Sequence, residues 1–419
     1  MQILFLSPCL PYPHGVGWQQ RGFRHLKALA RIGTVDTVVL TPDPHNTPET
    51  FEPASALSRS VSVGPFSQAF VQDKTRYLSE PSALRRLHLL LTTMQPNTAR
   101  PIGPHEIHEA AKAVPAKRYD LVFCFRLPSA SWLQAVQPAL QLQYDGMVID
   151  FDDIESRWHR QAYALERGRL SAAWRAHRLR DVWLLRGLEN GLLRSGRPVL
   201  CCSQSDAEAL RKRVRGAQVE IIPNSVPVDA EPPAAEPHGG FVVLFVGALD
   251  NEPNRDGLHF FVGQVWPKVR AELGETARLH VVGRNPVADV RALDGRDGIQ
   301  VIGSVPIMAP EYARADACIA PIRFGSGTRT KILEAFAQGR PVVSTTLGAE
   351  GIEAADGTEI LIADEPAAFA QALVGLHRDP GRRARIAQAA HRFVRERYAE
   401  EAVATRLQEV VLRAARRAA

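Results

Sequence analysis

The stretch that decides the fold is APIRFGSGTRTKILEAFAQGRPVVSTTLGAEGI, residues 320–352. An apolar strand ends at Pro321, and a loop carrying Gly325 and Gly327 follows it. Thr328 stands where it can cap a helix whose apolar spacing runs to Ala337. Gly339 then stops that helix, and Arg340 opens a second apolar strand. Strand, helix and strand in this order make a βαβ unit with parallel strands. Glycines just before a helix start let backbone N–H groups approach an anion, and the helix dipole favours negative charge there. Arg323, Arg329 and Lys331 bring positive charge to the same point, and Glu334 lies one turn after Thr330. A carboxylate so placed can take two hydrogen bonds from a ribose diol.

The same grammar extends in both directions. A first series of apolar strands reads QILFLS (2–7), TVDTVVL (34–40), YDLVFCF (119–125), GMVID (146–150) and RPVLCCS (197–203). A second reads FVVLFVG (241–247), ARLHVVG (277–283), IQVIG (299–303), DACIAP (316–321), RPVVST (340–345) and EILIA (359–363). Continuous apolar runs of this kind mark parallel strands covered on both faces. With helices between them they predict an α/β fold of two doubly wound domains. PNSVPVDAEPPAAEPHGG (223–240) holds five prolines and no regular period, so it reads as the region of the linker. The expected division is 1–225, a linker at 226–240, 241–395, and a final helix at 396–419 that packs back on the first domain. Ligands of open α/β sheets bind at the carboxyl ends of the strands, so two such domains are expected to face one another across a cleft.

Composition agrees with this picture. The chain has 419 residues, 45% of them hydrophobic and 23% charged, which fits a folded two-domain protein and excludes a disordered one. No apolar run reaches the roughly 18 residues of a membrane span. The opening MQILFLSPCLPYP lacks a basic region and carries prolines where a signal helix would run, so it reads as a buried first strand. Cys9, Cys124, Cys201, Cys202 and Cys318 form no CxxC pair, and most sit in apolar segments. That excludes a zinc framework and points to buried thiols in a reducing, cytoplasmic setting, with the inner membrane face as a variant of it. The net charge of +6 suits an anionic partner without choosing among diphosphate, lipid headgroup and nucleic acid.

The 320–352 stretch resembles the donor-binding signature of the retaining, GT-B-fold glycosyltransferases that use nucleotide sugars. The pattern Pro-x-Arg-x-Gly-x-Gly-x-x-x-Lys-x-x-Glu-Ala is carried by Pro321, Arg323, Gly325, Gly327, Lys331, Glu334 and Ala335. FVGALDNEPN (245–254), VVGRNP (281–286) and SVP (304–306) extend the likeness through the second domain. YPHGVG (12–17), DFDDIESRW (150–158) and IIPNSVPVD (221–229) extend it into the first, and are similar to bacterial exopolysaccharide- and exosortase-associated enzymes. The resemblance implies a GT-B fold and transfer of a sugar from a nucleoside diphosphate donor to an acceptor hydroxyl, with retention, no metal and no other cofactor. It implies Arg323 and Lys331 as catalytic cations. Gly15, Gly17, Gly247, Gly325, Gly327, Thr328, Arg329 and Glu334 would bind the donor. His14, Arg126, Asp152 and Asp153 are the acceptor-side candidates. Two positions depart from the family pattern: Ser326 stands where its first glutamate is usual, and Ala248 where an arginine commonly binds the diphosphate. Arg323, Arg329 or Lys331 would have to make up that charge, or Arg255 from the helix that follows. A sugar-nucleotide epimerase on the same fold, and a nucleotide-sugar-binding protein without catalysis, are the alternatives.

Other signals have plainer readings beside the functional ones. PYPHGVGWQQRG (11–22) is an incomplete dinucleotide fingerprint, because its third glycine is Gly22 rather than residue 20. Asp150-x-Asp152 has the spacing of a metal-binding pair in a different glycosyltransferase fold, or Asp152 and Asp153 simply cap the next helix. Residues 154–194 hold nine arginines against four acids, interleaved with Trp158, Trp174 and Trp183. This reads either as a surface for anionic lipid or as an ordinary solvated face. Nucleic acid is not an expected partner, because no recognition motif accompanies the charge.

Overall fold

Phe241, Val243 and Phe245 of strand β8 (Phe241–Val246) enter one apolar core, while Leu244 enters another. Successive side chains of a strand point to opposite faces, so a strand covered on both sides is apolar throughout. The computed structural model describes residues 1–40, 48–63, 112–168, 170–236, 238–325 and 327–416. They fall into two units, Met1–Pro223 with Ala404–Ala419, and Asn224–Val403. Both are doubly wound α/β units, as the strand series predict.

The first unit carries seven strands in the order β3-β2-β1-β4-β5-β6-β7, every neighbouring pair parallel. They are β1 (Gln2–Ser7), β2 (Thr34–Val39), β3 (Ser60–Val63), β4 (Arg118–Phe125), β5 (Gln143–Asp150), β6 (Val199–Cys201) and β7 (Val219–Ile221). The helix Glu400–Arg416 closes against this sheet. A Cβ on Gly146 would meet Ala414 O at 2.7 Å, so glycine lets the helix backbone come down onto β5. Gln408 Nε2 donates to Ala28 O at 2.9 Å, and Arg413 pairs with Glu220 at 3.0 Å on the same unit.

The second unit carries six parallel strands in the order β10-β9-β8-β11-β12-β13. Beside β8 these are β9 (Ala277–Val282), β10 (Ile299–Gly303), β11 (Ala317–Ala320), β12 (Val342–Ser344) and β13 (Leu361–Ile362). The 226–240 stretch, expected as a linker, is held on this unit. Val226 N donates to Tyr398 O and Glu236 N to Ala313 O, each at 2.9 Å, and Arg340 donates to Pro233 O and Ala234 O. Its prolines keep the chain extended, which lets it bond along a surface without forming regular structure.

All five cysteines are buried free thiols. Among the described residues, no helix is long and apolar enough to cross a membrane. The strand order reverses between β1 and β4 in the first sheet and between β8 and β11 in the second. Just beyond the carboxyl ends of those strands is the topological switch point, where open α/β sheets hold ligands.

Candidate functional site

At the switch point of the second sheet, Gly247 directly follows β8 and Gly283 directly follows β9. The two backbones lie so close that a Cβ on Gly283 would stand 1.7 Å from Gly247 O, so no side chain fits there. A Cβ on Gly247 would in turn meet Asn254 Nδ2 at 2.8 Å and Lys331 Nζ at 2.9 Å. These glycines open room at the strand ends, and Lys331 reaches into it. Its Nζ donates to Asn254 Oδ1 at 2.7 Å and lies 4.8 Å from the centre of the Phe245 ring. Asn254 is oriented by its own donation to Ala248 O at 3.0 Å. Burial among neutral groups pushes the Lys331 ammonium down to about 7, with Arg329 adding to the effect and Glu334 opposing it.

The loop after β11 has the backbone that its glycines predict. Gly325 has φ 113° and Gly327 φ 83°, a region other residues enter only with strain. Thr328 and Arg329 follow, and the helix Thr330–Ala337 begins one residue later. Arg329, not Thr328, is the residue that precedes this helix, and its cap position carries no side-chain hydrogen bond. Thr328 therefore does not cap. Among the described residues its buried Oγ1 has no hydrogen-bond partner, although buried hydroxyls are normally satisfied. Arg329 Nη1 donates to Gly327 O at 2.6 Å, which curls the loop over its own side chain. Glu334, one turn into the helix, accepts from Tyr312 Oη at 3.2 Å.

Two expected cations are engaged elsewhere. Arg323 donates twice to Asp256, at 2.9 and 2.6 Å, and stacks over Phe260 at 5.0 Å. Asp256 lies 67 residues away in the chain, and a bidentate pair of this kind claims one N–H edge of the guanidinium. Arg255, the suggested substitute for the residue at Ala248, pairs with Asp289 at 2.8 Å. Lys331, Arg329, Thr328 and Glu334 are thus brought together with Gly247, Gly325 and Gly327, while Arg323 faces outward. Ser326 lies outside the described residues.

The switch point of the first sheet gathers a different set. Asp150, at the end of β5, accepts from Arg21 at 2.8 and 3.0 Å and from His25 Nε2 at 2.8 Å, all three side chains buried. With its carboxylate held far below the usual range by Arg21, Asp150 is a structural anchor. Its oxygens are spent inside the unit, so the reading of Asp150-x-Asp152 as a metal pair does not hold in this geometry. Arg126 follows β4 with φ 63° and Asp152 follows β5 with φ 56°, two non-glycine residues in the left-handed region on neighbouring strands. Such strain costs roughly 1–3 kcal/mol per residue and gathers at working sites.

Asp152 does not cap a helix either, because Ile154 precedes the helix Glu155–Glu166 without a side-chain cap. Its carboxylate sits 3.6 Å from Arg21 Nε and 3.7 Å from Arg126 Nε, distances of attraction without a hydrogen bond. Arg126 itself donates to Glu155 at 2.8 Å and stacks 5.6 Å over Trp18, whose indole is half in solvent. Asp153 is half-buried, and His14 is exposed beside Tyr12. Gly15 lies in a loop closed on itself, where Gly15 N donates to Tyr12 O and Val16 N to Gln19 Oε1, and Gly17 opens the helix Gly17–Ala30. The Arg21–His25–Asp150 cluster escaped sequence reasoning because 129 residues separate Arg21 from Asp150. A buried arginine on an amphipathic helix carries no local signature.

Burial and the neighbouring Asp153 push the Asp152 carboxyl up to about 7. An acid whose folded pKa is raised favours the folded state most while it stays protonated, so its contribution falls as pH climbs from the ordinary carboxylate range to about 7. Asp152→Asn should therefore raise the melting temperature relative to the parent above pH 7 and change little below pH 4. Thermal melts across that range check it, and equal shifts at both ends would contradict the buried charge.

Comparisons with known proteins agree with this geometry. Residues 240–379 match the family model "Glycosyl transferases group 1". Phosphatidyl-myo-inositol mannosyltransferase of Mycobacterium leprae is 33% identical over 205 residues, 46% of this chain and 54% of that protein. The chain spans about half the length of the curated relatives it matches, 42% and 54% in the two cases. Sucrose-phosphate synthase of Thermosynechococcus elongatus superposes with a TM-score of 0.65 at 16% identity, covering 99% of both chains. Anabaena HepE in complex with UDP and glucose gives 0.64 at 15% identity over 98% of this chain and 99% of its own. The chain has the GT-B fold, and its residues 240–379 match the glycosyl transferases group 1 family.

Proposed function

We propose that the protein transfers a glycosyl unit from a nucleoside diphosphate sugar to an acceptor hydroxyl, with retention of configuration. The observation that carries this reading is the presence of both Lys331 and Thr328 at this loop: among the described residues no carboxylate bonds to the ammonium, and the hydroxyl has no partner. Both stand beside two left-handed glycines at a helix N-terminus, where a diphosphate would satisfy them together. The UDP in HepE and the mannosyl transfer in the name of the M. leprae relative support the same class of donor.

As the glycosidic bond breaks, negative charge grows on the departing diphosphate. Lys331, Arg329 and the amides of Gly327 and Thr328 would stabilise that charge from positions set before the reaction. Glu334, fixed by Tyr312, would take the ribose hydroxyls and act by positioning. On the first unit, Trp18, Arg126 and Asp152 offer an aromatic plate with a guanidinium and a carboxyl, which suits a sugar-like acceptor. No metal enters the scheme. Proton acceptance from the acceptor would fall to the leaving phosphate, as is proposed for front-face retention.

Arg323 and Arg255 being engaged elsewhere favours a second reading, binding of nucleotide sugar without turnover. A thermal-shift panel of UDP, GDP and other nucleoside diphosphates tests the donor site. At a hundredfold excess over Kd, binding stabilises the fold by about 2.7 kcal/mol. One nucleotide should raise the melting temperature, and its sugar conjugate should then be slowly hydrolysed or transferred. A shift without either reaction supports the second reading, epimerised donor supports the epimerase, and no shift with any nucleotide contradicts the site.

A further inference from the structure

The helix Ala172–Arg194 in the first unit separates its charges in a way the sequence does not reveal. Its two acids, Asp181 and Glu189, are 5% and 1% exposed. Glu189 accepts from Ser156 N and Oγ at 2.9 and 2.6 Å and pairs with Arg213 at 2.7 Å. Asp181 lies 3.4 Å from His177 and 3.7 Å from Arg180. With the acids turned inward, the exposed charge of the helix is all positive. Arg175, Arg186 and Arg194 are exposed, and among the described residues no carboxylate pairs with their side chains. Arg175 and Arg186 share a face, at three- and four-residue spacing, with Leu179 and Trp183, and Arg194 follows eight residues after Arg186.

Leu179 is 49% exposed and Trp183 66%. A tryptophan left two-thirds in water forgoes the burial that usually places it, and here it stands in the middle of a basic stripe. Such a face, apolar along its centre with cations around it, suits a surface that is itself apolar beneath a negative layer. A nucleic acid would satisfy the arginines but offer Leu179 no apolar surface. A protein partner would have no need for every exposed charge to share one sign. An anionic bilayer meets both demands, because indole rings settle at headgroup level and arginine stems lie along apolar surface with their heads on phosphate.

We propose that this helix face docks the protein on the surface of an anionic phospholipid membrane, with Trp183 and Leu179 entering the headgroup region and Arg175, Arg186 and Arg194 bonding to lipid phosphates. This goes beyond the donor-site reading and does not depend on it. The test is flotation of the full chain with vesicles of phosphatidylcholine alone and of a phosphatidylcholine–phosphatidylglycerol mixture. The protein should float with the mixture, stay behind with phosphatidylcholine, and detach as salt is raised.

Each arginine near an anionic surface is worth about fivefold in partitioning. Arg175→Gln with Arg186→Gln should therefore weaken binding about 25-fold. Leu179→Ser with Trp183→Ser should weaken it as well, while the melting temperature and the nucleotide-induced shift stay at the parent values, because neither side chain supports the core. Equal flotation with both vesicles, none with the mixture, or binding unchanged in both double variants would overturn the proposal. So would a dimer by light scattering that the Leu179/Trp183 variant dissociates, since the face would then be an interface between copies.

Discussion

Replacing Lys331 with methionine should lower transfer by about 10²–10³-fold, the usual cost of removing one preorganised group from a developing oxyanion. Methionine keeps an unbranched apolar stem and removes the ammonium, with its bond to Asn254 and its approach to the Phe245 ring. The same residue gives the donor site a pH signature. Because the ammonium is pushed down to about 7, it is losing its proton near neutrality in the free protein. A diphosphate restores the charged form, so donor binding takes up a proton and weakens as pH rises through that value. Calorimetric titrations at several pH values should show this slope in the parent and not in Lys331→Met. A slope that survives the substitution would place the titrating group elsewhere.

Asp150→Ala should be the most destabilising single change in the first unit, at about 3–5 kcal/mol. Arg21 is 2% exposed and its bidentate partner is 0% exposed, so the substitution leaves a buried guanidinium facing only the more distant Asp152 carboxyl at 3.6 Å. His25 loses its acceptor at the same time. With Asp150 ionised, His25 must donate from Nε2, and burial together with Arg21 keeps the ring below its ordinary pKa. Removing both charges by Arg21→Met with Asp150→Leu should recover much of the loss, because a buried pair exchanged for apolar residues is often neutral. Denaturant unfolding of the single and double variants checks the coupling. A single-variant loss under about 1 kcal/mol would mean that the cluster opens to water.

Most of the strands that sequence reading recovers are buried on both faces, although the edge strands β10 and β13 are recovered too. The 241–247 and 277–283 runs became β8 and β9 because each of their two faces meets a core. β3 and β7 are not visible in that way. Each sits at an edge of the first sheet, spans four or three residues, and is only partly buried, so neither SVSV nor VEI needs a continuous apolar run. At the donor site, the glycines, Lys331 and Glu334 are legible because they fall within one turn of a loop and a helix. The partners that decide what each cation does are not. Asp256 reaches Arg323 across 67 residues and Asn254 reaches Lys331 across 77, and only the sheet brings them together. Thr328 illustrates a smaller limit: a threonine before a helix suggests a cap, yet the left-handed Gly327 delays the helix and leaves the hydroxyl turned inward.

A crystal structure of the protein with a bound nucleoside diphosphate tests the central claim most directly. The diphosphate should lie within hydrogen-bond distance of Lys331 Nζ and Thr328 Oγ1, with the ribose on Glu334. Density for the nucleotide at any other place, with Lys331 still bonded to Asn254 and nothing else, would contradict the account.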